Sequence, residues 1–140
     1  MAFRTIEQLR TILEQECAYS LLLYARSHYQ LLIRVKAIHD PASIPQVVFC
    51  EGVHTISGTV NWFGKAEIGS RTDLRSILRL SDAFATIPDD YLLPLFTLLK
   101  IKHHNQLTMQ IVARSITLLS YSEAASNNTW PFSLLDFSSY

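Results

Sequence analysis

The chain has 140 residues, with twelve Lys+Arg against twelve Asp+Glu, and is 49% hydrophobic and 17% charged. That length holds one domain with one core and needs no disulfide or metal to fold. A charged fraction below the usual ~25%, with no net charge, excludes an acidic solvating chain and a basic tail protein, and leaves no global field to attract nucleic acid or anionic lipid.

From Thr5 to Tyr24, Ile6, Leu9, Ile12, Leu13, Cys17, Ser20 and Tyr24 recur at intervals of three and four. The spacing predicts an N-terminal helix, capped by Thr5 with Gln8 three residues on. The period then changes to two. Tyr29, Leu31, Ile33, Val35 and Ala37 share one face of a strand that His39-Asp40-Pro41 ends. Residues 45–50 form a short apolar run, read as a second strand. Residues 53–63 alternate and read as a third, with Gly58 marking a bulge or a close backbone approach.

Ser70, with Asp73 three residues later, marks a helix start, and Leu74, Ile77 and Leu78 give that helix an apolar face. Helix is favoured over strand for residues 76–84. Asp89-Asp90 opens another helix, and Pro94 fits only in its first turn. Lys100, Lys102, His103 and His104 are read as cations at that helix's C-terminal end. Residues 107–119 alternate as a last long strand. A polar stretch over 122–129 leads to an aromatic tail.

The order of elements predicts an α+β domain over 1–121: an antiparallel sheet of about four strands packed on the N-terminal helix and one or two later helices. Residues 122–140 form a linker and an aromatic C-terminal tail. Charges recur through the first residues, and no apolar run approaches the ~20 residues of a membrane span. Cys17 and Cys50, in unrelated segments, read as reduced buried thiols. These features predict a cytoplasmic protein that is not bound to a membrane.

Three groups of residues could carry function. Trp130, Phe132, Leu135 and Phe137 in the tail are large apolar groups that a disordered segment should lack, so they are candidate anchors for a protein partner or a second copy. Arg71, Arg75 and Arg79, spaced at four, form one stripe on a helix, which Lys65 would extend. Three guanidinium groups in a row suit phosphates or carboxylates. Trp62 and Phe63 could stack bases beside them. Gly58-Thr59-Val60-Asn61-Trp62-Phe63 resembles the opening strand of cold-shock domains, whose aromatics stack on unpaired bases. The strand that follows in that family, rich in Gly and Phe, is replaced here by Lys65-Ala66-Glu67-Ile68-Gly69, so the family's site is not expected.

Catalytic motifs are missing from the sequence. It contains no Gly-x-Ser-x-Gly, no phosphate-cradling loop, no CxxC and no HExxH. Cys50 and His54 lie close in sequence but would stand ~13 Å apart along a strand unless Glu51-Gly52 turned the chain. Neither a metal nor a cofactor is expected. The reading is a non-enzymatic protein-interaction or assembly protein, an accessory subunit or oligomer. The alternative is a small nucleic-acid-binding protein that uses the arginine stripe and sheet aromatics.

Overall fold

The computed structural model describes residues 9, 15–38, 42, 44–58, 62–120 and 123. Six strands make up most of it: β1 (Glu16–Ala25), β2 (Gln30–Ala37), β3 (Gln46–Gly58), β4 (Trp62–Ile68), β5 (Thr97–His103) and β6 (Gln106–Ser120). They close into an antiparallel barrel in the order β1-β2-β3-β6-β5-β4, with β4 returning to β1. Two three-stranded meanders, β1–β3 and β4–β6, are joined along the long β3–β6 seam and the shorter β1–β4 seam. The β1–β4 seam pairs only Glu16–Tyr19 with Trp62–Lys65.

This corrects the expected four-stranded sheet packed on an N-terminal helix. Leu9 is helical and fully buried in the barrel core, but by Glu16 the chain is already in β1. The misreading has a physical source. A register shift in β1 between Leu21 and Leu23 breaks the period of two. The residues of β1 packed on the core are then Cys17, Tyr19 and Tyr24, which keep no single strand period.

The barrel is filled by side chains. Leu31, Ile33 and Val35 of β2 meet Val48, Cys50 and Val53 of β3, with Leu99 and Ile101 of β5 and Met109, Ile111, Ala113 and Ile116 of β6. Alternation along each strand sends these residues inward. In β3 it is reset at Gly52, which takes φ +62°, and again where the register with β6 shifts between Val53 and Thr55. The strand expected over 53–63 is therefore two pieces. Val53 to Gly58 is the second half of β3, and Trp62 opens β4, which is not β3's neighbour in the barrel.

The connection from β4 to β5 is the helical part of the fold. Helix α1 (Arg71–Leu78) starts at Ser70, whose Oγ accepts a hydrogen bond from the Asp73 backbone N–H at 3.1 Å. A 3-10 turn (Asp82–Phe84), helix α2 (Asp89–Leu92) and a further 3-10 turn (Leu93–Leu95) follow. Residues 76–84 are thus α-helical to Leu78 and 3-10 helical over Asp82–Phe84. The apolar side of this connection packs on the outside of the barrel. Leu74, Leu78, Leu92, Leu93 and Phe96 cover Leu98 of β5 and Val112 of β6, which face each other in register. Leu78 and Leu92 are fully buried, and burial of such a side chain contributes about 1.5–3 kcal/mol.

Covering the outer face also explains why β5 escapes a sequence reading. Leu98 faces out and Leu99 faces in, yet both are buried, so the first half of the strand shows no alternation, and only Lys100 and Lys102, opposite Leu99 and Ile101, carry its period. Lys100, Lys102 and His103 therefore belong to a strand and not to a helix end. The β5–β6 hairpin turns through two residues, His104 (φ 51°) and Asn105 (φ 64°), between the paired His103 and Gln106. Two consecutive positive φ angles match the right-handed twist of the flanking strands.

Candidate functional site

Arg71, Arg75 and Arg79 lie along α1 as expected, but the acids of α2 engage all three. Arg75 Nε and Arg79 Nη2 each contact the carboxylate of Asp89 at 2.6 Å, one on each oxygen. Arg71 reaches Asp90 at 3.2 Å. Arg79 also donates to the Phe84 carbonyl and so holds the 3-10 turn against the end of α1. The hydrogen bond from Arg79, followed by the charge of Arg75, holds the Asp89 carboxyl below the usual carboxylate range. The stripe is therefore a clasp between two helices, with three guanidinium groups set against two carboxylates.

The same logic fixes α1 to the barrel. Lys100 of β5 donates to Asp73 in the first turn of α1. That contact, together with Ser70, lowers the Asp73 pKa from its ordinary value.

Lys65 does not extend the stripe. It sits on β4 in register with Glu16 of β1 on one side and Lys102 of β5 on the other. These residues, with Glu67, His104 and Asn105, line an open depression of about 580 Å³ on the barrel wall. Lys102 bridges to Glu67 at 2.8 Å, so this surface also mixes both signs. Phe63, beside Lys65 on β4, is 55% exposed. Trp62 opens the strand, and its side chain lies outside the described residues, as do Trp130, Phe132, Leu135 and Phe137.

Cys50 and His54 are separated by the barrel wall. Cys50 is fully buried in the interior, where desolvation pushes its thiol up to about 12. His54 instead packs outside, with its ring 5.2 Å from Phe84 and 5.8 Å from Phe96. Burial there lowers its pKa. Cys17 is buried too, and its thiol is pushed up by desolvation, opposed by its contact with Tyr19. Burial, reinforced by that thiol, raises the Tyr19 phenol. Neither thiol has the exposed, electropositive setting of a reactive cysteine.

His103 and His104 are brought together by the tight turn, with ring centroids 4.1 Å apart. No group of three or more potential metal ligands exists among the described residues.

Sequence reading missed two features of the surface. Leu80, Tyr91 and Leu95 project from the helical connection with 85%, 74% and 49% of their area exposed. The packing is carried by Leu78, Leu92, Leu93 and Phe96 close by in sequence, and only the depth of burial separates the two sets. The second feature is a reciprocal cap. The Ser120 N–H donates to Glu123 Oε1 at 3.0 Å, and the Glu123 N–H donates to Ser120 Oγ at 3.1 Å. Ser-x-x-Glu is the signature of a helix start, hidden in a stretch whose composition reads as a linker. No described helix is long and apolar enough to cross a membrane. No family model matches the chain, and neither a curated protein nor a solved structure does.

Proposed function

We propose that the chain is a non-enzymatic protein-interaction or assembly module that binds its partner through the outer surface of the helical connection between β4 and β5. The observation that carries this reading is the two-sided character of that connection. Its inner side is buried on Leu98 and Val112, while its outer side offers Leu80, Tyr91 and Leu95 to solvent. Large apolar groups presented on a rigid scaffold are suited to the buried centre of an interface. The Arg75–Asp89–Arg79 clasp supplies the rigidity.

Two further observations support it. The described cations of α1 are held by carboxylates of the same chain, which weakens the nucleic-acid alternative. The described residues of the barrel interior are mostly apolar side chains in mutual contact, which suits a packed core more than a polar substrate site. A cytoplasmic site of action remains part of the proposal.

The test is capture of the tagged chain from its native cells, with and without nuclease, beside the double variant Leu80→Ser/Tyr91→Ser. The proposal expects a stoichiometric protein, or a second copy, that survives nuclease and is lost in the variant. Binding that nuclease abolishes, or a partner retained in full by the variant, contradicts it.

A further inference from the structure

The outward face of the β2–β3–β6 wall is buried. In an antiparallel sheet, directly opposed residues share a face. One row across this wall is Leu32, Phe49 and Thr117, and the next is Arg34, Val47 and Leu119. Their neighbours in sequence, Leu31, Ile33, Val48 and Cys50, fill the barrel, so these two rows point away from it. Leu32 and Val47 are nevertheless 0% exposed and Phe49 is 9% exposed, and none of the three belongs to the barrel core or to the cluster under the helical connection. The same face holds two buried polar atoms with no hydrogen-bond partner among the described residues, Arg34 Nε and Gln30 Oε1.

We infer that this face is the seat of the chain's own C-terminal segment, residues 124–140, docked in cis. Three observations select this occupant. First, β6 ends at Ser120, paired with Gln46, one position beyond the Val47–Leu119 pair. Glu123, joined to Ser120 by the reciprocal cap, is helical and lies at the end of that strand. Second, the 17 residues after Glu123 reach as much as ~55 Å when extended, against ~10 Å across three strands. Third, the chemistry matches. The segment carries Trp130, Phe132, Leu134, Leu135 and Phe137, and its one charged residue, Asp136, is opposite in sign to Arg34. The N-terminal segment is the weaker candidate, because Leu9 is committed to the barrel interior. The inference does not depend on the partner proposed for the helical connection.

The test uses the full chain. Trp130 and, separately, Phe132 are replaced by benzoylphenylalanine, an equimolar mixture of ¹⁴N- and ¹⁵N-labelled chains is irradiated, and cross-linked peptides are mapped. The inference expects cross-links to 30–34, 46–49 or 117–119 in peptides of a single isotope. Mixed-isotope cross-links assign the face to a second copy and overturn it. Cross-links only elsewhere, or none, overturn it as well. The full-chain variant Phe132→Ser/Leu135→Ser supplies a second readout. A several-fold rise in binding of an apolar fluorescent dye, with the strand signature of the circular dichroism kept, is expected on release of the segment. Unchanged dye binding contradicts the inference.

Discussion

Arg79, one residue past the last turn of α1, contacts the carboxylate of Asp89 at the first position of α2, 2.6 Å away, and Arg75 takes the other oxygen of the same group. One carboxylate thus engages two members of the arginine stripe and ties together the helices that cover the barrel. Asp89→Asn should lower the melting temperature and leave the stripe with a larger uncompensated positive charge. The variant is expected to be retained on heparin to higher salt than the parent. Equal retention would mean that the guanidinium groups are screened by something other than Asp89.

The pH dependence follows from the same contact. The Asp89 carboxyl is held below its ordinary value by Arg79 and Arg75. An unfolded Asp titrates near ~3.9, so the contribution is complete above that pH and is lost as pH falls through the lower folded value. The gap in melting temperature between parent and Asp89→Asn should be constant from neutral pH down to ~5 and close in more acid solution. A gap that persists unchanged at low pH would assign the effect to packing.

The two sides of the helical connection should respond differently to truncation. Leu78→Ala and Leu92→Ala remove fully buried side chains and should each cost about 2–5 kcal/mol in urea unfolding. Leu80→Ala, at an exposed position, should change stability by no more than about 0.5 kcal/mol. A large loss at Leu80 would show that the residue is covered within the chain and would remove it from the proposed interface.

Backbone conformation gives a third contrast. Gly58, at φ +94°, ends β3 with its backbone so close to β6 that an added Cβ would stand 2.0 Å from the Thr108 carbonyl oxygen. Gly58→Ala must separate the strands and should destabilise by at least about 1–3 kcal/mol. Asn105→Gly, in the positive-φ turn between β5 and β6, should be neutral or mildly stabilising, because glycine suits that conformation. Thermal melts of the two variants decide it, and a tolerated Gly58→Ala would refute the close approach.

The cysteines offer a chemical probe of barrel closure. Cys50 is fully buried with its thiol raised to about 12, and Cys17 is buried beside Tyr19. Neither should react with a thiol reagent at pH 8 in the native protein, and both should react on unfolding. Rapid native labelling of Cys50 would mean that the barrel opens.

How much of this was legible in the sequence depends on which side of each element is wet. Strand β2 and the last strand, β6, alternate openly, and both were found. The start of α1 was found because Ser70 and Asp73 are a local cap that needs no tertiary partner. Strand β1 was hidden by a register shift that breaks its period of two, and the start of β5 by the burial of Leu98 and Leu99 on opposite faces. The arginine stripe was found as a pattern, but its meaning was not, because Asp89 lies ten residues beyond Arg79 and only the fold brings them together. The exposure of Leu80 and Tyr91 had no sequence signature, since apolar residues at such spacings read equally well as core.

The central claim is that partner binding centres on the outer surface of residues 80–95. Amide hydrogen exchange of the chain alone and of the complex recovered from cells tests it most directly. The account predicts added protection concentrated in 80–95, with the strands β4 and β5 unchanged on their lysine-bearing face. Protection confined to 63–67 and 100–105, with 80–95 exchanging as in the free chain, would contradict it and move the binding surface to the depression around Lys65 and Lys102.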